Sequence, residues 1–218
     1  LYPEIEIEKS MLTLDTLTAR RGETALFKDL GITLFPGSLL TVRGPNGSGK
    51  TTLLRMIAGL SKPAAGYIRW NEVDIHTAFD EYALLIQYIG HKSAVVPQLT
   101  VRENVAFWSK LRNTSELMPA AIHYFGLEPL LDVPCHKLSA GWKQRVALAR
   151  MVSCNAKLWV MDEPTTHLDR ETQDQLMQMI TIRCQEGGIV VIASHTELPI
   201  KGGSSLDLNT YKPHTRDD

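Results

Sequence analysis

The chain has 218 residues, 44% of them hydrophobic, and 23 lysines and arginines offset 24 aspartates and glutamates. That is enough to bury a sizeable core, as one large domain or one with an inserted subdomain, and the net charge of −1 offers no overall basic footprint for nucleic acid. Cys135, Cys154 and Cys184 are widely spaced with no Cys-x-x-Cys, which argues against a disulfide framework or zinc site, and no apolar run approaches the length that crosses a bilayer.

Residues 1–10 are acidic at every second position from Glu4 to Glu8 and form no basic-then-apolar leader. They carry no chemistry and are expected as an extension, either ahead of a natural start at Met11 or as part of a longer native chain. Residues 11–218 are expected as one domain. Leu12 to Thr18 and Ala25 to Phe35 alternate apolar and polar residues around a turn at Arg20-Arg21-Gly22, which predicts antiparallel strands. The apolar run Leu39-Leu40-Thr41-Val42 predicts another strand, and a helix follows from about Lys50 to Ala58, closing at Gly59 with Pro63 beyond. Gly66 to Trp70 and Leu84 to Ile89 read as further strands, the second ending at Gly90-His91. Between His91 and Lys137 the texture turns helical, at Val101 to Leu111 and from Met118-Pro119 to Gly126. Leu158 to Met161 and Ile189 to Ala193 are short and continuously apolar, as parallel strands covered on both faces are. Leu176, Met177, Ile180 and Cys184 recur at helical spacing between them, and after Lys201 there is room for a short final strand.

Gly44-Pro45-Asn46-Gly47-Ser48-Gly49-Lys50-Thr51, followed by Thr52, stands between a strand and a helix in the pattern of a phosphate-binding loop. Its glycines let backbone amides turn inward, and the helix start adds the positive end of its dipole. Lys50 is placed to neutralise the β and γ phosphates of a nucleotide, and Thr51 to ligate Mg²⁺. Asp162 and Glu163 end a buried strand, where ligands sit in open α/β sheets. Asp162 can hold Mg²⁺ through water opposite Thr51, and Glu163 can accept the proton of a water attacking the γ-phosphorus. Leu138-Ser139-Ala140-Gly141 precedes a helix for which Ser139 is a candidate N-cap, with Trp142, Val146 and Ala149 on one face.

Together these motifs resemble the ATP-binding cassette family, whose signature Leu-Ser-Gly-Gly-Gln precedes the strand bearing the paired acids. Ala140 and Trp142 depart from that signature at its third and fifth positions. The resemblance implies a P-loop (RecA-like) α/β core with an antiparallel β subdomain and an inserted α-helical subdomain at about 91–150. It also implies ATP hydrolysis by a nucleotide-sandwich homodimer, in which Ser139 and Gly141 reach the γ-phosphate held by a facing subunit. Pro164, Thr166-His167-Leu168-Asp169 and Ser194-His195 follow in family order. They imply a γ-phosphate contact for His195 and a loop between sites ending at Asp169, which also suits an N-cap.

Arg21 stands where the family carries an adenine-stacking aromatic, so either its guanidinium stacks on the base or it is a solvated turn residue and another side chain stacks. His91 stands where the family carries a glutamine that senses Mg²⁺ and the attacking water, and either takes that role or caps the strand end without touching the site. These two substitutions, with Pro97-x-Leu99-Thr100-x-x-x-Asn104 and Leu158-Trp159, resemble the ATPase subunit of the bacterial haem exporter used in cytochrome c maturation. That implies integral-membrane partner subunits of the haem-exporter type and a peripheral position on the cytoplasmic face of the inner membrane; a cassette of another small-molecule transporter and a catalytically silent nucleotide-binding switch are the alternatives, and the lack of a basic run argues against a nucleic acid partner. Pro134-Cys135-His136 lacks a Cys-x-x-Cys-His attachment pattern, so direct haem ligation is not expected and a packed thiol beside a polar residue is.

Overall fold

The computed structural model describes residues 11–91, 95–195 and 202–213; the ten-residue extension lies outside them. β1 (Leu12–Arg21), β2 (Thr24–Leu34), β4 (Ala65–Trp70) and β5 (Val73–Asp74) form an antiparallel sheet in the order β2-β1-β4-β5. β3 (Leu39–Arg43), β6 (Ile86–Ile89), β7 (Leu158–Asp162), β8 (Ile189–Ala193) and β9 (Ser204–Asp207) form a second sheet, parallel throughout, in the order β6-β7-β8-β3-β9.

Alternation along the parallel strands divides the interior in two. Leu40, Val42, Leu158, Val160, Ile189 and Val191 face a core shared with β1, β2, β4 and the helix α1 (Lys50–Ile57). Leu39, Trp159, Met161, Val190 and Ile192 face the other core. That one is shared with α3 (Val101–Leu111), α4 (Met118–Tyr124), α5 (Ala140–Val152) and α6 (Arg170–Gln185). The central strands are therefore largely apolar on both faces, β8 at every position and β7 up to Asp162, because both faces are covered.

The helix starts are specified locally. Thr100 and Glu103 form a capping box on α3, Pro119 occupies the first turn of α4, Ser139 caps α5 through the Trp142 amide, and Asp169 caps α6 through the Thr172 amide. Among the described residues between Gly90 and Lys157 the named elements are all helical. No helix of the described residues is long and apolar enough to cross a membrane.

Two boundaries differ from the sequence reading. β1 continues through Arg21 and pairs Arg21 with Thr24, so the hairpin turn falls on Gly22 and Glu23. The strand expected at Leu84–Ile89 begins only at Ile86, because Leu84 and Leu85 end a helix, α2 (Phe79–Leu85). Tyr82 fixes that helix: its ring is buried and its hydroxyl donates to Ile57 O at the end of α1.

Candidate functional site

The loop between β3 and α1 takes its shape from its glycines. Gly44 has φ 144° and a Cβ there would lie 2.6 Å from Ser48 Oγ; Gly49, at φ 103°, has the Phe27 ring 3.1 Å from where its Cβ would be. The chain thereby turns directly into α1, the first residue of which is Lys50. The residue is only 7% exposed. Lys50 Nζ curls back over the loop, donating to Gly44 O (2.7 Å) and Pro45 O (3.2 Å).

The parallel register brings the other half of the site alongside. Asp162 closes β7 next to Ala193 of β8, and its buried carboxylate accepts a 2.7 Å hydrogen bond from Thr51 Oγ1. Glu163 then turns the chain in the left-handed region (φ 51°) and is pinned by its amide to Ala193 O at 2.9 Å. Its Oε1 lies 3.3 Å from His195 Nε2, and its Oε2 accepts from the His195 amide at 3.4 Å. Two neighbouring strand ends thus present a carboxylate and an imidazole as a pair.

These groups line one cavity of about 470 Å³, together with Arg21, Asn46, Gly47, Gly49, Thr52, His91 and Thr166. That volume lies within the usual range of about 300–1,000 Å³ for small-molecule sites. Gly44, Pro45 and Ser48 support the loop from outside the lining, and the Ser48 side chain is buried. Ser139 and Gly141 are not brought into the cavity. Ser139 is exposed at the start of α5, and Gly141 packs against the loop after Glu163, where a Cβ would meet His167 O at 2.8 Å. Gln144 and Arg145 hold the same loop, through Pro164 O at 3.0 Å and Asp169 Oδ2 at 2.6 Å, and the Arg145 guanidinium lies over the Trp142 ring.

Sequence reasoning named Thr166 only as part of the loop between sites, and passed over Tyr88. Thr166 enters the cavity because its amide turns back to Glu163 O, a tight turn for which the only signal was Pro164 followed by two threonines. Tyr88, on β6, is half-buried beside Asp162: burial first, and then that carboxylate's charge, push its phenol up from the ordinary range. Cys135 is a buried thiol receiving a hydrogen bond from Asn104 Nδ2 at 3.2 Å, and burial raises it above the usual cysteine range.

A phosphate loop backed by a threonine and an aspartate, with a glutamate–histidine pair across the same cavity, defines a P-loop nucleotide hydrolase. Residues 27–166 match the ABC transporter family. The chain belongs to that family, as an ATP-binding, ATP-hydrolysing cassette. It is 44% identical to the cytochrome c biogenesis ATP-binding export protein CcmA of Wolbachia pipientis wMel, over 85% of this chain and 90% of that one. It is 41% identical to the protein of the same name from Rickettsia typhi, over 91% of this chain and 99% of that one. A bacterial ABC transporter cassette solved as a dimer superposes with a TM-score of 0.80 at 24% identity, over 90% of this chain and 94% of that one, a likeness of fold.

Proposed function

We propose that the chain hydrolyses ATP with Mg²⁺ as a nucleotide-sandwich dimer on the cytoplasmic face of the inner membrane. There it drives integral-membrane subunits that export or deliver haem for c-type cytochrome biogenesis. The observation that carries this reading is the convergence of Lys50, the Thr51–Asp162 pair and the Glu163–His195 pair on one cavity. The haem assignment is supported by relatives that carry the cytochrome c biogenesis name across nearly their whole length.

The chemistry is positional and electrostatic. Lys50 Nζ, now on two neutral carbonyls, exchanges them for phosphate oxygens, which as anions are the stronger acceptors. Thr51 and Asp162 are paired at 2.7 Å and would hold Mg²⁺ with a hydroxyl and a carboxylate, the hard oxygen donors that suit it. Held by those two residues, Mg²⁺ would supply neutralisation of phosphate charge. Glu163 takes a proton from the water that attacks the γ-phosphorus, the bond to the bridging oxygen breaks, and ADP leaves with that oxygen. His195 holds the Glu163 carboxylate and contacts the γ-phosphate. Arg21 offers a guanidinium plane to adenine, and His91 takes the place of the family's glutamine at the rim.

Ser139 and Gly141 lie outside their own chain's cavity, which supports their acting on the nucleotide of a facing subunit. The membrane subunits have an apolar flank to meet: Leu84 (61% exposed), Phe107 (56%) and Leu111 (59%). The Cys135 thiol is buried, and burial raises it above the usual cysteine range, so this residue is not offered as a haem ligand. The test is genetic and spectroscopic. Lys50→Ala in the source organism should abolish haem-bearing c-type cytochromes and leave b-type haem proteins intact, whereas normal c-type cytochromes would reject the haem assignment.

A further inference from the structure

One helix grips the chain on both sides of Gly90-His91. Upstream, Arg112, which follows the last residue of α3, sends its guanidinium into the junction where α2 becomes β6. Its Nη2 donates to Ala83 O (2.7 Å) and Ile86 O (2.8 Å), and its Nη1 to Leu84 O. The chain leaves the helix at once, with Ile86 extended at φ −108° and ψ 146°, so the last carbonyls of α2 lose their intrahelical donors. Arg112 therefore caps α2 from a different helix, with a cation at the negative end of its dipole. Downstream, Asn104 of α3 is 3% exposed. Its Oδ1 accepts from Val96 N (2.8 Å), and its Nδ2 donates to Val96 O (3.1 Å) and Leu99 O (3.2 Å).

β6 joins these anchors to the nucleotide cavity. It pairs in register with β7, Ile89 opposite Met161, so Ile89 sits one residue short of the Asp162 level and His91 lies beyond it on the cavity wall. The outer flank of α3 carries Phe107 and Leu111, one turn apart, and Leu84 is among the residues whose carbonyls Arg112 holds. A displacement of α3 is thus passed through Arg112 to the start of β6, the strand that leads to His91, in addition to the core contact that α3 and Ile89 share.

We propose that Arg112 is a positioning residue that ties the location of α3 to that of His91, so that nucleotide in the cavity and a partner on the α3 flank sense each other through it. The partner half of this statement rests on the function proposed above; the nucleotide half does not. Coupling of two sites is reciprocal. If α3 acts on the cavity through Arg112, filling the cavity must act on α3 through Arg112 as well. The planar fork reaching several carbonyls is what lysine cannot reproduce.

Amide hydrogen exchange on the full chain, with and without ATP and Mg²⁺, reads this directly. In the parent, nucleotide should slow exchange both in the phosphate loop and along residues 105–111. In Arg112→Ala the phosphate-loop response should persist and the α3 response should fall at least about fivefold, with Arg112→Lys between the two. An α3 response unchanged in Arg112→Ala, or one lost together with the phosphate-loop response, overturns the proposal. In the complex with its membrane subunits, Arg112→Ala should keep basal kcat and KM within about twofold and lose about tenfold in partner stimulation, with co-purification of the subunits retained. Equal loss of basal and stimulated rates marks a merely structural residue and overturns it. A parent that no membrane subunit stimulates removes the proposed function instead, and the exchange result then stands alone.

Discussion

One methyl group at Gly141 should separate stability from turnover. A Cβ there would lie 2.8 Å from His167 O, a backbone atom of a residue already at φ 66°, so the loop after Glu163 has to move as a body. Two terms oppose each other in the fold. Alanine is favoured over glycine within a helix by about 1 kcal/mol, and forcing a methyl into a packed contact costs about 1–3 kcal/mol. The net loss is roughly 0–2 kcal/mol, which at about 2–4 °C per kcal/mol for a chain of this size lowers the melting temperature by no more than about 8 °C. Turnover has no such compensation. The displaced loop runs from Glu163 and carries Thr166 into the cavity, and a shift of about 1 Å among reacting groups costs on the order of 10²-fold. Thermal melting, ATP binding and phosphate release measured on Gly141→Ala should therefore give a folded protein, an affinity within about threefold, and kcat down by about 10². A folded variant with kcat within about twofold of the parent would refute the contact argument.

Asn104→Ala strips the acceptor from Val96 N and the donor from Val96 O, Leu99 O and Cys135 Sγ in a buried position. Only the Cys135 bond is fully buried and the other partners are partly solvated, so the total falls below about 1–3 kcal/mol for each of the four, at roughly 2–5 kcal/mol, and should appear as a fall in melting temperature of about 4–20 °C. The Asp169 carboxylate is held down to about 2 by the Thr172 side chain and amide and then by Arg145. With a folded pKa below the unfolded value, its contribution is complete above the ordinary aspartate range and is lost as pH falls through about 2. The melting temperatures of the parent and Asp169→Asn should therefore differ by a constant amount from pH 8 to 5 and converge only in strong acid; a gap that closes near neutrality would contradict this.

Legibility in the sequence followed locality. The phosphate loop, the acids ending β7, the capped start of α5 and the helix at Val101–Leu111 are written in contiguous residues, and the structure has those elements where the patterns fall. Leu84-Leu85-Ile86 shows what locality hides. An unbroken apolar run reads as one strand, but the helix-to-strand change inside it is supported by Tyr82 reaching Ile57 and by Arg112 reaching Ala83, Leu84 and Ile86. No pattern within the run reports such distant partners. The same holds for the strand order β6-β7-β8-β3-β9, which sets Asp162 beside Thr51 and Glu163 beside His195 across long separations in sequence. The residue types and their meeting at one nucleotide were expected from the motifs, but the strand order that brings them together was not readable.

The central claim is that Glu163 accepts the proton of the attacking water. Its most direct test is single-turnover hydrolysis of ATP by Glu163→Gln in the assembled complex, with ATP binding and oligomeric state followed on the same sample. Glutamine keeps the shape of the side chain and removes its basicity. The account predicts that ATP and Mg²⁺ still bind, that the dimer persists with unhydrolysed ATP, and that the rate falls by about 10²-fold or more. Near-normal turnover, with binding intact, would contradict it.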